Sequence, residues 1–189
     1  MSETIEYLVR RHAFEKEHRW SLDDTGLAWQ AEDASGRLDY AAIASIRLEY
    51  GATRADFARY RCLVAGRNGE AQIIVSTHFD SLGSFSDRRG TYLPFVRTLI
   101  ARTAAANPLC RFQAGVSPAR FWLTLFLLFL SLAVLAIAAL SLGVPVLWYL
   151  YLKIAVIIAL LPVALVWIKR NRPRRFRPSA IPADVLPGA

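Results

Sequence analysis

Hydrophobic and polar positions divide the chain into two regions with different periodicities. Over residues 1–115, short apolar runs alternate with turn signals, whereas residues 119–168 are almost continuously apolar. Short runs of alternating polarity are typical of half-buried strands, and uncharged runs of about 20 residues are typical of helices that cross a bilayer. The pattern therefore predicts a soluble, folded domain over residues 1–115 and a helical segment of a different kind after it.

Two hairpins stand out among the short strands that are predicted before residue 77. Residues 23–26 form a turn signal between the apolar runs that contain Trp20 and Trp29. Asn68-Gly69 is the strongest hairpin signal in the chain, because both residue types accept the positive φ of a tight turn. We interpret Trp20 and Trp29 as core residues, and the alternative is a platform for a ligand.

The last element of this region is a predicted amphipathic helix over residues 88–106. Asn107-Pro108 ends it, because the residue before a proline is disfavoured in the helical conformation. An amphipathic helix carries a stripe of apolar residues along one side, and a surface helix buries this stripe against its domain. The residues of the stripe fall at helical spacing: Leu93, Val96, Leu99, Ile100 and Thr103.

Two long apolar runs follow, and together they predict a transmembrane helical hairpin. Residues 121–142 contain no charge and extend about 33 Å as a helix, enough for a hydrocarbon layer of about 30 Å. Gly143 and Pro145 break this helix, and residues 146–168 form the second run, with Lys153 as its one charge. A link this short requires the two helices to be antiparallel.

The strands and the helix together resemble a pleckstrin-homology-like domain, in which a C-terminal helix caps a bent antiparallel sheet. The resemblance rests on residues 20–29, 43–50 and 92–102, and on the proline-rich residues 178–187. The whole chain also resembles small bacterial inner-membrane proteins of unassigned function that join such a domain to a membrane hairpin. The resemblance implies an α+β fold for residues 1–115 plus an antiparallel transmembrane hairpin, and a role in binding lipids or proteins.

Positive charge is concentrated near the end of the chain. Residues 1–118 carry 15 Lys and Arg against 14 Asp and Glu, whereas residues 119–189 carry 8 against 1. The excess lies in one run over residues 169–177, whereas a nucleic-acid-binding domain carries basic residues across its fold. We therefore expect no nucleic-acid partner.

The charges also predict the topology of the hairpin. Lys and Arg lie before the first run and after the second run, and they are absent from the turn between the two runs. Positively charged flanks stay on the cytoplasmic side of the membrane. We expect a multi-pass protein of the bacterial inner membrane with both termini cytoplasmic and without a signal peptide. Cys62 and Cys110 are expected to be reduced thiols. Residues 169–189 form a basic, proline-rich tail, of which 178–189 is either disordered or extended along the soluble domain.

Basic residues are the candidate ligands for anionic lipid headgroups, since each cation near an anionic surface contributes about 1 kcal/mol. The alternatives are that the run after the hairpin only sets the topology, and that the pair before the domain helix is a solvated helix start. The candidates are Lys169, Arg170, Arg172, Arg174, Arg175 and Arg177 in the run, and Arg88 and Arg89 at the helix.

Lys153 is a separate candidate, for a contact within the membrane. Two interpretations remain open: its side chain extends to the headgroups, or it pairs with a carboxylate of a membrane-protein partner. Neither apolar run contains an Asp or Glu, so a paired carboxylate would belong to another protein.

Candidate catalytic and metal-binding residues are scattered. The sequence contains no phosphate-binding glycine loop, no nucleophile elbow and no zinc-spaced Cys and His pairs. We therefore predict no catalytic residue, no metal and no cofactor. A metal site would have to combine residues whose spacing matches no ligand pattern: His12, His18, His78, Asp23, Asp24 and Cys62.

These features predict a non-enzymatic, membrane-anchored interaction or scaffold protein, an accessory subunit or assembly factor of a membrane complex. Its expected partners are a lipid bilayer with an anionic inner leaflet and a membrane protein. One alternative is a module that senses anionic lipids. Another is an enzyme that acts on a membrane substrate, which requires a cleft with converging titratable groups.

Overall fold

The chain forms two units, in which the computed structural model describes residues 4–11, 15–32, 34–51, 59–81, 84–141, 151 and 165–187. Unit 1 comprises Met1–Gly115 and Arg174–Ala189, and unit 2 comprises Val116–Pro173. The chain thus leaves unit 1 after Gly115 and returns to it at Arg174.

The first sheet of unit 1 is an antiparallel meander of four strands. Its order is β1 (Ile5–Val9), β2 (His18–Leu22), β3 (Gly26–Gln30) and β4 (Ser35–Asp39). The predicted hairpin at residues 23–26 is confirmed, because β2 pairs with β3 and Trp20 lies opposite Trp29. Both tryptophans belong to the core of unit 1.

The second sheet combines neighbouring strands with segments that are distant in sequence. It contains β5 (Ile43–Tyr50), β6 (Tyr60–Gly66), β7 (Ala71–Val75), β10 (Arg111–Ala114) and β11 (Arg174–Arg175), and its order is β11–β10–β5–β6–β7. The hairpin at Asn68-Gly69 is confirmed between β6 and β7, and Gly69 has a φ of 87°. β10 pairs with β5 in parallel and β11 pairs with β10 in antiparallel orientation. A separate hairpin joins β8 (Thr77–Ser81) to β9 (Ser84–Asp87).

Helix α1 (Arg89–Ala106) supplies the apolar face that the sequence predicted for residues 88–106. The stripe is confirmed, except that Leu93 is half-buried. Phe95 extends the face, and its ring centroid lies 5.4 Å from that of Tyr7 in β1. After the helix, Asn107 donates from Nδ2 to the carbonyl oxygen of Ile43 (2.8 Å), which ties the helix end to β5. The buried residues of α1 are Tyr92, Phe95, Val96, Leu99, Ile100 and Thr103.

The C-terminal residues complete the core of unit 1. Val185 and Leu186 are 0% and 2% exposed and belong to the same core as β5. A short 3-10 helix, Ala183–Val185, turns these side chains inward. The described residues 178–187 therefore adopt one of the two states expected for the tail, since they lie along unit 1.

In unit 2 the structure describes helix α2 (Pro118–Ser141) and a helical segment over 165–171. The rings of Phe121 and Trp167 stack with centroids 5.6 Å apart. The N–H of Val116 donates to the carbonyl oxygen of Asn171 (3.1 Å), so the start and the end of unit 2 are held together.

The predicted membrane hairpin requires a correction. Over the residues that the structure describes, no helix combines the length and the apolar run that a bilayer crossing requires. The transmembrane hairpin, and with it the assignment as a multi-pass protein of the bacterial inner membrane with cytoplasmic termini, is therefore wrong. Residues 142–150 and 152–164, which include Lys153 and most of the second predicted helix, lie outside the described residues. The mixed α+β class stands for unit 1.

Candidate functional site

Helix α2 begins with a sequence that is suited to a helix start. Ser117 precedes the helix, and its Oγ accepts a hydrogen bond from the N–H of Arg120 (3.3 Å). Pro118 occupies the first helical position, where its missing N–H costs nothing. From Phe121 to the helix end the sequence consists of apolar residues with Thr124, Ser131 and Ser141, so the cap fixes where an otherwise uniform helix begins.

The two sides of α2 differ in exposure. A narrow stripe at helical spacing is buried or half-buried and consists of Phe121, Leu125, Leu128 and Leu132. Among the other side chains of α2 whose exposure the structure describes, eight large apolar ones are 46–68% exposed: Trp122, Leu123, Phe126, Leu127, Phe129, Leu130, Val134 and Ile137. We call these eight residues the α2 apolar surface. At about 100° per residue, they cover an arc of about 160° around the helix.

This distribution reverses the usual one for a helix on a protein surface. Such a helix buries its apolar stripe and presents charged residues to solvent. Here the half-buried stripe is the smaller part, and no charged residue lies between Phe121 and Ser141. Monomeric soluble proteins rarely expose contiguous apolar patches larger than a few hundred Å², and larger patches mark interaction sites. The α2 apolar surface is therefore the principal candidate site.

The base of α2 is held by a small set of contacts within unit 2. Phe121 is 7% exposed and stacks on Trp167, and Asn171 is 4% exposed. The Nδ2 of Asn171 donates to the carbonyl oxygen of Trp167 (3.0 Å). These contacts fix the start of α2 against the segment 165–171, in which Leu165 and Val166 are also exposed.

The predicted headgroup ligands of the basic run lie in both units. Lys169, Arg170 and Arg172 belong to unit 2 and are exposed. Arg174, Arg175 and Arg177 belong to unit 1 and are exposed as well. Arg174 forms an ion pair with Asp184. Their exposure makes them available to an anionic partner, and their role as lipid ligands stays a prediction.

Arg88 and Arg89 lie at the start of α1, away from the basic run in sequence. The N–H of Arg89 donates to Asp87 Oδ1 (2.9 Å), and its Nε pairs with Asp87 Oδ2 (2.5 Å). The N–H of Arg88 donates to the carbonyl oxygen of Ser76 (2.9 Å). The adjacent carboxylate offsets the charge of Arg89, which weakens the case for an anion site at this helix. The remaining candidate, Lys153, lies outside the described residues.

The residues considered for a metal site serve other contacts. His18 Nε2 lies 2.6 Å from Glu15 Oε1, and the ring of His18 stacks on Trp20. His78 Nδ1 accepts from the N–H of Arg10 (3.1 Å). His12 lies outside the described residues. Within the part of the chain that is described, no group of three or more His, Cys, Asp or Glu side chains is placed to hold a metal ion.

Asp23 and Cys62 have perturbed pKa values for structural reasons. Burial alone raises the pKa of Asp23, but hydrogen bonds from the N–H groups of Thr25 and Gly26 and from Arg37 outweigh it and hold the pKa well below its usual range. Asp23 therefore stabilises the β2–β3 turn as a carboxylate. Burial raises the pKa of the Cys62 thiol to about 12, so this cysteine is an unreactive core residue at neutral pH.

A polar recess of about 880 Å³ opens beside the first sheet and β8. Its charges are mixed: Lys16 pairs with Glu32, and the guanidinium of Arg10 lies 5.4 Å from the centre of the Phe79 ring. Asp80 at its rim accepts a hydrogen bond from Ser86 (3.1 Å). The described residues that line the recess therefore carry charges of both signs, several of which are already engaged in contacts with one another.

Sequence comparison adds no assignment. No protein-family model matches the chain, and no curated protein matches it. The resemblance of unit 1 to a pleckstrin-homology-like domain therefore stays a prediction.

Proposed function

We propose that the protein is a non-enzymatic interaction protein, an accessory subunit or assembly factor of a larger complex, that binds a partner protein through the α2 apolar surface. The observation that carries the proposal is the exposure of eight large apolar side chains on one helix. Burial of apolar surface contributes about 25 cal/mol per Å², so leaving these side chains in water is costly. A partner that covers them recovers this free energy.

The chemistry of the surface specifies the kind of partner. The arc from Trp122 to Ile137 presents aliphatic and aromatic groups without a charged side chain. A partner surface rich in charged groups would have to leave those groups unpaired on binding. We therefore propose a partner that presents an apolar helical face, whose ridges of side chains fit between those of α2. Trp122, Phe126 and Phe129 are the aromatic anchors of the interface, since such residues are enriched among binding hot spots.

The test is co-purification of partners under mild conditions with three variants of the full chain. Phe126→Asp and Leu130→Asp each place a charge within the α2 apolar surface, and both are expected to lose the partner. Thr124→Asp introduces the same charge on the same helix at an exposed position outside the surface and is expected to retain it. Circular dichroism checks that all three variants fold alike. Retention of the partner by all three variants, or its loss from all three, would contradict the proposal.

Anionic lipid headgroups are a second candidate ligand, and the basic run carries this alternative. All six of its cations are exposed. At about 1 kcal/mol for each cation near an anionic surface, the run is able to bind such a surface without any specific pocket. This binding is electrostatic and therefore weakens as salt concentration rises.

Vesicle flotation separates this alternative from the first. Lys169→Gln/Arg170→Gln/Arg172→Gln is expected to reduce binding to vesicles that contain phosphatidylserine. Arg19→Gln/Arg97→Gln/Arg111→Gln removes the same charge at exposed positions elsewhere and serves as the matched control. Equal binding to anionic and zwitterionic vesicles would show that headgroup charge is not what the protein recognises.

A further inference from the structure

The α2 apolar surface has an internal symmetry about Leu130. Most of its large residues recur at intervals of three and four, which places them along one line of the helix. At about 100° per residue, the members of this line lie within about 40° of the direction of Leu130. They are Leu123, Phe126, Leu130, Val134 and Ile137. Leu130 thus lies at the middle of the line, with two large residues on each side of it along the helix.

This symmetry makes the surface complementary to itself when two copies of the helix lie antiparallel. If the two helices cross at Leu130, a residue that precedes it by a given number of positions lies level with the residue that follows it by the same number in the other copy. Phe126 and Leu127 are then level with two smaller residues of the other copy. These are Val134 and Ala133, and both are exposed. Larger side chains of one helix therefore meet smaller ones of the other, as close packing of helices requires.

The exposed area of the surface is close to what a stable dimer needs. Its eight large side chains are 46–68% exposed. At roughly 150 Å² for each large side chain, they leave about 700 Å² of apolar surface to be covered. A specific protein interface buries about 800 Å² on each partner. A second α2 therefore supplies both the area and the apolar helical face that the proposed partner has to present.

The charges of unit 2 favour the antiparallel orientation of the two helices. Arg120 lies in the first turn of α2. Lys169 and Arg172 lie in and just after the segment that the stacked rings of Phe121 and Trp167 hold against this turn. The charged residues that the structure describes in unit 2 are therefore gathered near the start of α2. Parallel helices would bring two such basic ends together, whereas antiparallel helices place them about 30 Å apart, well beyond the screening length of about 8 Å.

We propose that the partner that covers the α2 apolar surface is a second copy of this chain, and that the two α2 helices pack antiparallel about a two-fold axis at Leu130. This inference rests on the proposed function and names its partner. A two-fold interface uses the same surface on both copies, so the assembly closes as a dimer and exposes no further copy of the surface.

The molar mass of the full chain in solution tests the proposal. Between about 1 and 100 µM, the mass of the wild type is expected to rise with concentration toward twice the chain mass of 21.1 kDa. Leu130→Asp places two like charges at the two-fold axis and is expected to raise the dissociation constant at least about 100-fold. Thr124→Asp, at an exposed position outside the surface, is the control and is expected to dimerise like the wild type. A dimer that Leu130→Asp leaves intact would overturn the proposal.

Disulfide trapping tests the orientation of the two helices. The native Cys62 and Cys110 are buried, so the wild type is expected to give no linked dimer. Leu130→Cys is expected to give a linked dimer on mild oxidation, because residue 130 faces its own copy across the axis. Leu123→Cys is expected not to, since its two copies lie about 21 Å apart, whereas the Cα atoms of a disulfide lie about 4.4–6.8 Å apart. Leu123→Cys combined with Ile137→Cys is expected to restore the link. Equal linking by Leu123→Cys and Leu130→Cys would overturn the antiparallel arrangement.

Co-purification of the same variants separates a failure of this inference from a failure of the proposed function. A wild type that is monomeric at every concentration, but loses a different protein when Leu130→Asp is introduced, would overturn the second copy as the partner and leave the proposed function intact. A monomeric wild type whose variants lose no protein would contradict both. Circular dichroism checks the fold of Leu130→Asp, and the comparison of Leu130→Cys with Leu123→Cys carries the test if that variant does not fold.

Discussion

Leucine has opposite roles in unit 1 and in helix α2 of unit 2. Leu22 and Leu99 of unit 1 are fully buried, whereas Leu127 and Leu130 of α2 are 52% and 46% exposed. Burying a leucine stabilises a fold by about 1.5–3 kcal/mol, so the first pair acts on folding. The second pair makes this contribution only when a partner covers it. Residue type therefore does not separate a stability residue from an interaction residue; the surroundings do.

The two units also differ in the charged side chains that they contain. Unit 1 pairs its cations internally, as in the contact of Arg61 with Glu49 (2.9 Å), where Glu49 is 3% exposed. Residues 116–173 contain Arg120, Lys153, Lys169, Arg170 and Arg172 but no Asp or Glu. Unit 2 therefore has a net positive charge and no carboxylate side chain of its own.

The largest effect is expected from one substitution made in both units. Leu99→Asp places a charge in the core of unit 1 and is expected to cost about 5 kcal/mol, comparable to the total stability of a small domain. Leu127→Asp places the same charge on the α2 apolar surface and is expected to change stability by less than about 0.5 kcal/mol. Circular dichroism melting of both variants makes the comparison. A similar loss in both would show that Leu127 is covered within the protein itself.

A smaller effect is expected from shortening one leucine in each unit. Leu186→Ala is expected to destabilise unit 1 by about 3 kcal/mol, because it leaves a cavity in the core. Leu165→Ala in unit 2 is the control, since Leu165 is 55% exposed, and is expected to be nearly neutral. Chemical denaturation followed by tryptophan fluorescence measures both. An unchanged midpoint for Leu186→Ala would mean that Leu186 contributes nothing to the core.

Local signals in the sequence predicted much of unit 1. Asn68-Gly69 located a hairpin, and the spacing of Val96, Leu99 and Thr103 located the buried face of α1. These features depend on neighbours within a few residues. The prediction of a membrane hairpin was wrong. An uncharged run in the sequence shows that its residues are apolar, but it does not show what surrounds their side chains in the structure. The extent and the exposure of α2 became visible only in the structure.

Strand pairings between segments far apart in the sequence could not be predicted from local signals. β10 pairs with β5, more than 60 residues earlier, and β11 pairs with β10 from the far end of unit 2. The one local signal for a contact of residues 174–186 with the core is the presence of Phe176, Ile181, Val185 and Leu186 in a segment otherwise rich in Arg and Pro. Apolar residues at intervals in such a segment suggest contact with a core, but they do not identify which edge the segment joins.

Two glycines of unit 1 allow the effect of backbone conformation on stability to be measured without a steric effect. A Cβ added at Gly69 or at Gly90 meets no atom within 4 Å, so neither substitution is sterically blocked. Gly69 has a φ of 87°, and Gly69→Ala is expected to cost about 1 kcal/mol. Gly90 lies in α1, and Gly90→Ala is expected to stabilise the protein by about 0.5 kcal/mol. Melting temperatures that move in the same direction for both variants would contradict this reasoning.

The smallest expected effect is a dependence on pH that is confined to unit 1. The pKa of Asp23 is held below its usual range by hydrogen bonds from Thr25, Gly26 and Arg37. A depressed folded-state pKa means that the contribution of Asp23 is complete above the ordinary carboxyl value of 3.8 and is lost as the pH falls toward the folded-state value. Asp23→Asn is therefore expected to be slightly less stable than wild type at pH 7, by less than about 1 kcal/mol because the side chain is partly exposed.

The difference between wild type and Asp23→Asn is expected to shrink as the pH falls below 4, since Asp23 is then protonated in the unfolded chain but not in the folded protein, and this proton uptake favours unfolding of the wild type. Unit 2 provides the internal control, because residues 116–173 contain no carboxylate side chain that titrates in this range. Amide exchange measured between pH 3 and pH 7 and corrected for intrinsic rates resolves the two units. A difference between wild type and variant that stays constant down to pH 3 would show that Asp23 stabilises the turn without its charge.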